Sequence, residues 1–422
     1  MSNMSSQTQT TSVLIVGAGT VGLSLAIYLA QAGVSVVVLD VKPKPCDAVW
    51  QERINRLDTR VYALNLPSIT LLKDIGVWAH IVRRADYRRM QVWQQDGAGE
   101  IVFGDGLQLM GSMVEPSVLD KALFDKAQSL PNLHLIFGAK LIDIDTYQGG
   151  HGVLVRISDT TVRYQCQLLV GADGRSSQVR QLLGVGLDTL DYHQTAICCA
   201  IRTTHLHNHT ARQAMLPTGT LALLPLAPFN NPSDEHWQSV VWTLPTKIAN
   251  TYLTSIKTHQ QALTRLGDDI ALYSGFALGM VDEVRSVASF ALSAQLAKQS
   301  AGASWVLIGD ASHGVHPLAG QGLNLGMADV TALKGLADLL ANTSCFNKPN
   351  IALTQYLRRY ARARHAKTAL MMHSFSAINW LFAGGLSDNH WLMLARSTGF
   401  GAVGKAPWLT HFFNKQAGGI TP

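Results

Sequence analysis

The strongest constraint in this sequence is a glycine-rich turn that joins an apolar strand to a helix near the N-terminus. Ser12 to Val16 is a short β-branched run, Thr20 to Ala32 has helical length, and Val34 to Leu39 is a second β-branched run. Both runs are apolar without alternation, which indicates strands buried on both faces of a parallel sheet. The turn carries a GxGxxG spacing formed by Gly17, Gly19 and Gly22. The N-terminus therefore predicts a β-α-β unit at the core of a doubly wound α/β domain.

The GxGxxG spacing is typical of dinucleotide binding when it stands between a strand and a helix. Gly17 allows the tight turn, Gly19 lets a pyrophosphate approach the N-terminus of the helix, and Gly22 permits close packing of the helix on the strand. Asp40, at the end of the second run, is placed to accept hydrogen bonds from an adenosine ribose. The same spacing recurs at Gly399, Gly401 and Gly404. No strand precedes that copy, so we interpret it as coincidental.

The composition favours a large globular protein. The chain has 422 residues, of which 47% are hydrophobic, and a formal net charge of +6. This length and hydrophobic content can bury a sizeable core and favour two domains, so we exclude a disordered protein. The basic excess is too small to indicate nucleic-acid binding.

The five cysteines are odd in number and lack metal-ligand spacing, so we expect buried thiols in a reducing compartment and no metal site. The uncharged stretch before Asp40 lacks the basic start of a signal peptide and is broken by glycines, so we do not interpret it as a membrane segment.

Two further glycine-containing segments follow apolar runs. GADGRSSQVR, at Gly171–Arg180, contains Asp173 and by itself fits a simple strand-to-helix turn with a serine cap. GDASHGVHPLAGQGLNLGMADV, at Gly309–Val330, places Asp310 directly after a strand and Gly320 and Gly322 at the start of a helix. Backbone N–H groups and a helix dipole at such a loop suit an anion or an electron-rich ring.

These three motifs, in this order and spacing, resemble those of flavoprotein hydroxylases of the para-hydroxybenzoate hydroxylase type. Within that superfamily, the strings RVYAL at Arg60–Leu64, LLKDIGVW at Leu71–Trp78 and HPLAGQGLNLGMADV resemble the ubiquinone-biosynthesis ring hydroxylases. The resemblance implies an α/β fold in which a doubly wound, Rossmann-like FAD-binding domain is interleaved with a mostly antiparallel β substrate domain, plus a C-terminal helical region. We expect the FAD-binding domain at residues 1–75, 105–190 and 286–369, the substrate domain at 76–104 and 191–285, and the helical tail at 370–422.

The resemblance also assigns contacts to FAD by position. Gly17, Gly19, Gly22 and Asp40 would bind its ADP half, and Arg60 would bind a phosphate or ring carbonyl with its planar fork of donors. Asp310 would hold sugar hydroxyls near the pyrophosphate, and Asp173 lies where the family combines contacts to FAD and to the nicotinamide donor. The isoalloxazine would be lined by Gly320, Gly322, Leu323 and Asn324. The family's Glu-Asn pair is replaced by Glu115 and Pro116, which puts one polar contact near the flavin in doubt.

The reaction implied by the resemblance is hydroxylation of the ring of a lipid-soluble, polyprenylated phenol or quinol in ubiquinone biosynthesis. NAD(P)H would reduce FAD, and a flavin C4a-hydroperoxide would deliver one oxygen atom. His316 is the nearest candidate base in the flavin loop, although a histidine bonded to the loop backbone is the plainer interpretation. The alternatives are a related hydroxylase of a soluble phenolic compound and a non-catalytic flavin-bearing subunit of a lipid-handling complex.

A basic stretch and an aromatic tail complete the sequence. Arg358, Arg359, Arg362, Arg364 and Lys367 cluster on a predicted helix, which we interpret as a solvated face. The tail beyond is rich in Trp, Phe and Leu, and aromatic residues beside basic ones also suit a membrane interface. We therefore expect a cytoplasmic protein with peripheral contact to the inner face of a membrane through the tail, and association with other enzymes of the pathway.

Overall fold

A computed structural model describes residues 8–95, 99–147, 150–228, 230–259, 261–314, 321–341 and 349–383. The strands are β1 (Thr8–Val16), β2 (Val36–Asp40), β3 (Tyr62–Asn65), β4 (Ala85–Tyr87), β5 (Arg89–Gln94), β6 (Glu100–Phe103), β7 (Gly111–Val114), β8 (Leu133–Phe137), β9 (Ala139–Tyr147), β10 (Gly150–Ile157), β11 (Thr160–Gly171), β12 (Leu187–Thr203), β13 (Thr210–Leu216), β14 (Gly219–Pro225), β15 (Trp237–Pro245), β16 (Val281–Ala297), β17 (Trp305–Leu307) and β18 (His313–Gly314). The helices are α1 (Thr20–Gln31), α2 (Asp47–Ile54), α3 (Leu66–Asp74), α4 (Pro116–Gln128), α5 (Gln178–Leu182), α6 (Thr246–Thr258), α7 (Ala262–Tyr273), α8 (Gln321–Ala332), α9 (Leu336–Leu340) and α10 (Ile351–Ala383). Short 3₁₀ turns lie at Trp78–His80 and Gly309–Ala311.

The first sheet contains the β-α-β unit that the sequence predicts. Its order is β8-β2-β1-β11-β10-β9, with β17 paired to β11. Strands β8, β2, β1, β11 and β17 are parallel, and β10 and β9 extend the sheet in antiparallel fashion. Val13 and Ile15 belong to one buried core, and Leu14 and Val16 belong to another on the opposite face. Both faces of β1 are therefore covered, and the doubly wound class is confirmed.

The second sheet follows the order β18-β16-β12-β15-β14-β13-β5-β6. Its neighbours are antiparallel except for the parallel pair β13 and β5, as expected for a mostly antiparallel substrate domain. One face packs on α6 and α7, with Trp242, Leu266 and Ile270 in a common core. A third, small sheet has the order β3-β7-β4.

The predicted domain boundaries at 190/191 and 285/286 fall inside β12 and β16. These two strands pair over their length, from Leu187 opposite Ala297 to Thr203 opposite Val281. Their ends at Leu187 and Ala297 pack into the core of the first sheet. The same two strands therefore belong to the second sheet and also contact the core of the first. The chain passes between the two units within continuous strands and not through a linker.

Helix α10 starts within the predicted FAD-binding domain and continues into the predicted tail. It extends through residues 370–383, whereas 384–422 lie outside the described residues. Arg358, Arg359, Arg362 and Lys367 are exposed, as a solvated face requires, but Arg364 is buried. The prediction was wrong for Arg364, because an ion pair within the fold holds its guanidinium. No helix in the described ranges is long and apolar enough to cross a membrane.

Candidate active site

The glycine turn between β1 and α1 has the geometry that its sequence predicts. Gly17 has φ +111°, and a Cβ there would collide with the carbonyl oxygen of Ala172. A Cβ on Gly22 would collide with the carbonyl oxygen of Gly17, whereas a Cβ on Gly19 would meet nothing within 4 Å. Two glycines are thus required by close backbone approach, and the third leaves open space at the N-terminus of α1. That opening is a place for a phosphate group beside unpaired helix N–H groups.

Asp40 lies beside this turn at the end of β2. The N–H of Ala18 donates to Oδ2 of Asp40 at 2.8 Å, and the N–H of Lys42 donates to Oδ1 at 2.8 Å. Each carboxylate oxygen keeps acceptor capacity beyond its one bond, and the side chain is half-buried. The carboxylate is therefore held in place and can still accept a hydrogen bond from a sugar hydroxyl.

The turn after β17 brings Asp310 to the same edge of the first sheet. Gly309 has φ +56°, and the exposed side chain of Asp310 lies at the cavity described below. Three contacts fix the turn: Gly309 N–H donates to Oδ2 of Asp329 at 2.9 Å, Gln295 Nε2 donates to Asp310 O at 2.8 Å, and Arg180 Nη1 donates to Ala311 O at 2.8 Å. The position of the Asp310 backbone is thus set by buried side chains rather than by the loop alone.

Asp329, which sequence reasoning did not single out, is the centre of this support. Its side chain is fully buried in α8 and accepts from His313 Nε2 at 2.7 Å and from Arg364 Nε at 2.7 Å, besides Gly309 N–H. Burial raises the pKa of Asp329, but the charges and hydrogen bonds of His313 and Arg364 outweigh it, so the pKa lies below the usual value. The sequence signal was an Asp at an otherwise apolar helix position, since a buried carboxylate requires partners.

Asp173 has partners within its own turn. Its carboxylate accepts from Ser177 Oγ, from Gln178 N–H at 2.7 Å and from Val179 N–H at 3.1 Å. Asp173 therefore stabilises the first turn of α5, and Ser177 caps the helix by accepting from Arg180 N–H at 3.0 Å, as the plain turn interpretation predicts. A contact of Asp173 to FAD or to the donor stays a prediction. The neighbouring residues Ala172, Gly174 and Arg175 line the cavity.

Arg60 lies at the cavity with its guanidinium against two aromatic rings. The guanidinium carbon is 5.7 Å from the ring centre of Tyr62 and 5.1 Å from that of Phe290, which is within cation–π range. The side chain is exposed, so its donors are available to a phosphate or carbonyl oxygen.

A buried ion pair fixes the segment that leads to Arg60. Arg83 Nε donates to Oε2 of Glu115 at 2.5 Å, and Asp58 N–H donates to Oε1 at 2.7 Å. Pro116 stands at the first position of α4, where a missing N–H costs no intrahelical hydrogen bond. The change from Asn to Pro therefore removes a side-chain amide without weakening the helix, and Glu115 keeps a structural role.

The start of α8 was predicted to line the flavin ring. Gly322 and Leu323 line the cavity. Asn324 is buried and bonded elsewhere: its Oδ1 accepts from Asn65 N–H at 3.1 Å and Ser68 Oγ at 2.8 Å, and its Nδ2 donates to Ala63 O at 2.7 Å. Its side chain joins α8 to the β3–α3 junction, so a flavin contact from Asn324 would have to use the second N–H of Nδ2 or the backbone. His316 and Gly320 lie outside the described residues.

A cavity of about 540 Å³ connects these turns to the second sheet. At one end lie Gly19, Asp310 and Gly322, and at the other lie side chains of β12 to β15. The wall is mostly apolar, with three arginines, Arg60, Arg175 and Arg212, against one carboxylate, Asp310. The open space at Gly19 fits the phosphates of FAD, and the carboxylates of Asp40 and Asp310 fit its sugar hydroxyls. Arg60, which lies against two aromatic rings, fits a phosphate or a carbonyl oxygen of the flavin ring. An excess of positive charge suits an anionic cofactor.

Comparisons with known proteins identify the family of this chain. A family model described as FAD binding domain matches residues 10–367. The chain is 32% identical to 3-demethoxyubiquinol 3-hydroxylase of Escherichia coli over 90% of this chain and 91% of the relative. It is 33% identical to ubiquinone hydroxylase UbiL of Rhodospirillum rubrum over 96% and 89% of the two chains.

Solved structures show the same fold. That of p-nitrophenol 4-monooxygenase PnpA from Pseudomonas putida aligns with a TM-score of 0.76 at 17% identity, covering 98% of this chain and all (100%) of that one. PqsL of Pseudomonas aeruginosa, in complex with 2-aminobenzoylacetate, aligns with a TM-score of 0.72 at 19% identity, over 94% and 100%. The family model and the two relatives, each spanning most of the chain, establish that this protein belongs to the FAD-binding family of aromatic-ring hydroxylases that includes the ubiquinone hydroxylases.

Proposed function

We propose that this chain is an FAD-dependent monooxygenase that hydroxylates the ring of a polyprenylated phenol or quinol in ubiquinone biosynthesis. The observation that carries the proposal is the single cavity that joins the glycine turn and Asp310 to the apolar face of the second sheet. A cofactor at one end and a ring at the other would share this one cavity. The relatives at 32% and 33% identity, whose names specify ubiquinone or ubiquinol hydroxylation, support the choice of substrate class.

The residues of this site would have different roles in the reaction. FAD, when bound, supplies electron transfer and oxygen activation. Gly19 and the N-terminus of α1 would hold its phosphates, Asp40 and Asp310 its sugar hydroxyls, and Arg60 a phosphate or ring carbonyl. The apolar walls would exclude water and hold the ring in place. His316 stays the candidate base, as a prediction.

The test is a visible absorption spectrum of the purified protein, followed by oxygen-uptake measurements. NADH or NADPH is added in separate runs, each with and without a short-chain prenylphenol. Flavin absorption bands together with uptake that the prenylphenol stimulates would support the proposal. A colourless protein that FAD does not reconstitute would contradict it, and stoichiometric FAD without stimulated uptake would favour a non-catalytic flavin-bearing subunit. The same assay distinguishes a hydroxylase of soluble phenols, which would respond equally to a phenol without the prenyl chain.

NAD(P)H as the electron donor is part of the proposal. Arg60 and Arg175 place positive charge at the cavity, which suits the phosphates of a transient nucleotide. Reduction of the flavin band under anaerobic conditions by one nucleotide and not by the other would identify the donor. A flavin that neither nucleotide bleaches would require a different reductant.

We further propose peripheral contact with the cytoplasmic face of a membrane, through α10 and the tail beyond it. Arg358, Arg359, Arg362 and Lys367 are exposed on α10, and anionic lipid headgroups attract such a basic segment. Flotation with anionic liposomes should carry the protein upward, and substitution of these four residues by Gln should reduce the floated fraction. A protein that stays with the bottom fraction at low salt would refute membrane contact. Association with other enzymes of the pathway stays a prediction, and co-purification from cells would test it.

A further inference from the structure

The two faces of the second sheet differ in side-chain size and polarity. On the face toward α6 and α7, large apolar residues such as Leu221, Leu223 and Trp242 are packed in a closed core. Their neighbours along the same strands line the cavity, and most are small: Ala196, Cys198, Ala211, Ala222, Thr220 and Thr243. Alternation along each strand sends successive side chains to opposite faces, so this contrast is built into the strands themselves. The result is a shallow floor across β12 to β15 on which a flat ring has room to lie.

Cross-strand pairing sets the arrangement of the floor. Gln213 pairs with Ala222, Ala222 with Val241, and Cys198 also pairs with Val241, so these four residues form one row across the sheet. Leu221 pairs with Trp242, which makes Thr220 and Thr243 neighbours in the adjacent row. Burial raises the pKa of the Cys198 thiol to about 11, so it is a neutral, small side chain. Apart from Arg212, whose Nη1 donates to the carbonyl oxygens of His207 and Thr210, the floor is thus apolar except at Gln213, Thr220 and Thr243.

These three side chains have unused hydrogen-bonding capacity. Gln213 Nε2 donates to Sδ of Met215 at 3.4 Å, a weak acceptor. Among the described residues, the Oε1 atom of Gln213 and the hydroxyl groups of Thr220 and Thr243 have no hydrogen-bond partner. Thr243 and Thr220 are 1% and 6% exposed, so bulk water contributes little to satisfying them. Polar groups without partners that face an apolar cavity are typical of residues that orient a ligand.

We infer that Gln213, Thr220 and Thr243 form the subsite that binds the oxygen substituents of the aromatic ring and thereby selects the ring carbon presented to the flavin. The inference rests on the proposed function and specifies how its substrate is oriented. Gln213 Oε1 accepts from a ring hydroxyl, and the threonine hydroxyls donate to hydroxyl or methoxy oxygens, with the ring lying over Ala196, Cys198 and Ala222. Binding at more than one point on the ring prevents its rotation in the plane of the floor.

The experiment uses full-length holoenzyme and two probes, a singly prenylated methoxyhydroquinone and the matched prenylphenol that has one oxygen substituent. The variants are Thr220→Val, Thr243→Val and Gln213→Leu. The control is Thr195→Val, which makes the same substitution on the same sheet but on the opposite face, where Thr195 contacts Thr246. Loss of one neutral hydrogen bond should raise KM for the methoxyhydroquinone about 3- to 10-fold, since such bonds contribute about 1 kcal/mol. The hydrogen peroxide released per NAD(P)H should also rise, or the ring position of the product should change.

The matched probe isolates the hydrogen bond. If a threonine binds an oxygen that the prenylphenol lacks, its substitution by Val should leave KM for the prenylphenol unchanged within about 2-fold. Thr220→Ser and Thr243→Ser, which keep the hydroxyl, should behave like the parent protein, and FAD content and melting temperature verify folding for every variant. If KM and product position are unchanged in all three variants while the parent protein turns over both probes, the inference is wrong. If the parent protein shows no substrate-stimulated oxygen uptake, the proposed function itself fails.

Discussion

Replacement of Arg364 by Gln should destabilise the protein through a residue far along the chain from the motifs. Arg364 Nε contacts Oδ1 of Asp329 at 2.7 Å, and its Nη2 donates to Leu325 O at 2.9 Å. The side chains are 9% and 0% exposed, so the carboxylate has almost no access to water once the arginine is gone. Breaking one partner of a buried ion pair costs about 3–5 kcal/mol, because the Asp329 carboxylate, although still bonded to His313 Nε2 and Gly309 N–H, loses the guanidinium that balances its charge. This cost should appear as a lower free energy of unfolding.

The magnitude converts to a modest change in melting temperature. The unfolding entropy is roughly 2.1 cal/mol/K per residue. If all 422 residues unfold as one unit, each kcal/mol lost from the free energy of unfolding therefore lowers the melting temperature by about 1 °C. The expected decrease is therefore about 3–6 °C, measured by differential scanning calorimetry or intrinsic fluorescence. Because Gly309 N–H bonds to the same carboxylate, FAD should also dissociate more readily, which release of flavin fluorescence would report.

Arg362→Gln is the matched control, since Arg362 lies on the same helix with an exposed side chain. Exposed substitutions usually change stability by less than about 0.5 kcal/mol, which here is below 1 °C. If Arg364→Gln and Arg362→Gln melt together and retain FAD equally, the argument that Asp329 and Arg364 support the Gly309 turn is refuted.

Three further predictions concern the cofactor turns and acid stability. Asp310→Ala should weaken FAD binding roughly 10- to 100-fold, as expected for loss of a hydrogen bond to a charged group, and a variant that purifies with full flavin occupancy would rule out the assigned contact. Gly17→Ala should lose FAD and stability together, because φ of +111° strains a non-glycine residue by about 1–3 kcal/mol even before the collision with Ala172 O; a melting curve like that of the parent protein would contradict this. Burial lowers the pKa of His151 from 6.5 to about 4, so the folded protein binds fewer protons than the unfolded chain between these values. Stability should therefore fall as pH falls from about 6.5 to 4, by about 3 kcal/mol from this residue, and urea midpoints of His151→Gln should depend less on pH across that window than those of the parent protein.

The local sequence was sufficient for the β-α-β unit and for the turn that follows it. Strand and helix periodicity, the glycine spacing and Asp40 all depend on residues within about one supersecondary unit, and each leaves its own signal in the chain. The backbone geometry of Gly17 and Gly22 matches the predicted reasons for glycine, since no side chain fits at either position. The doubly wound class and the antiparallel second sheet were likewise predictable, because alternation and its absence report which strand faces are buried.

Only the tertiary structure determined which side chains support the site and which face it. Asn324 and Asp329 lie a few residues apart in one motif, yet Asn324 bonds to the β3–α3 junction and Asp329 joins the Gly309 turn to α10. Arg364 looked like part of an exposed basic face, and its burial depends on a partner 35 residues away. The polar positions on the cavity floor lie on three strands, and only strand pairing brings Thr243 of β15 beside Thr220 of β14, so their grouping has no sequence signature. Motifs record contacts made within one turn or one strand, whereas the partner of a buried charge and the occupants of a shared cavity are set by packing between elements distant in the chain.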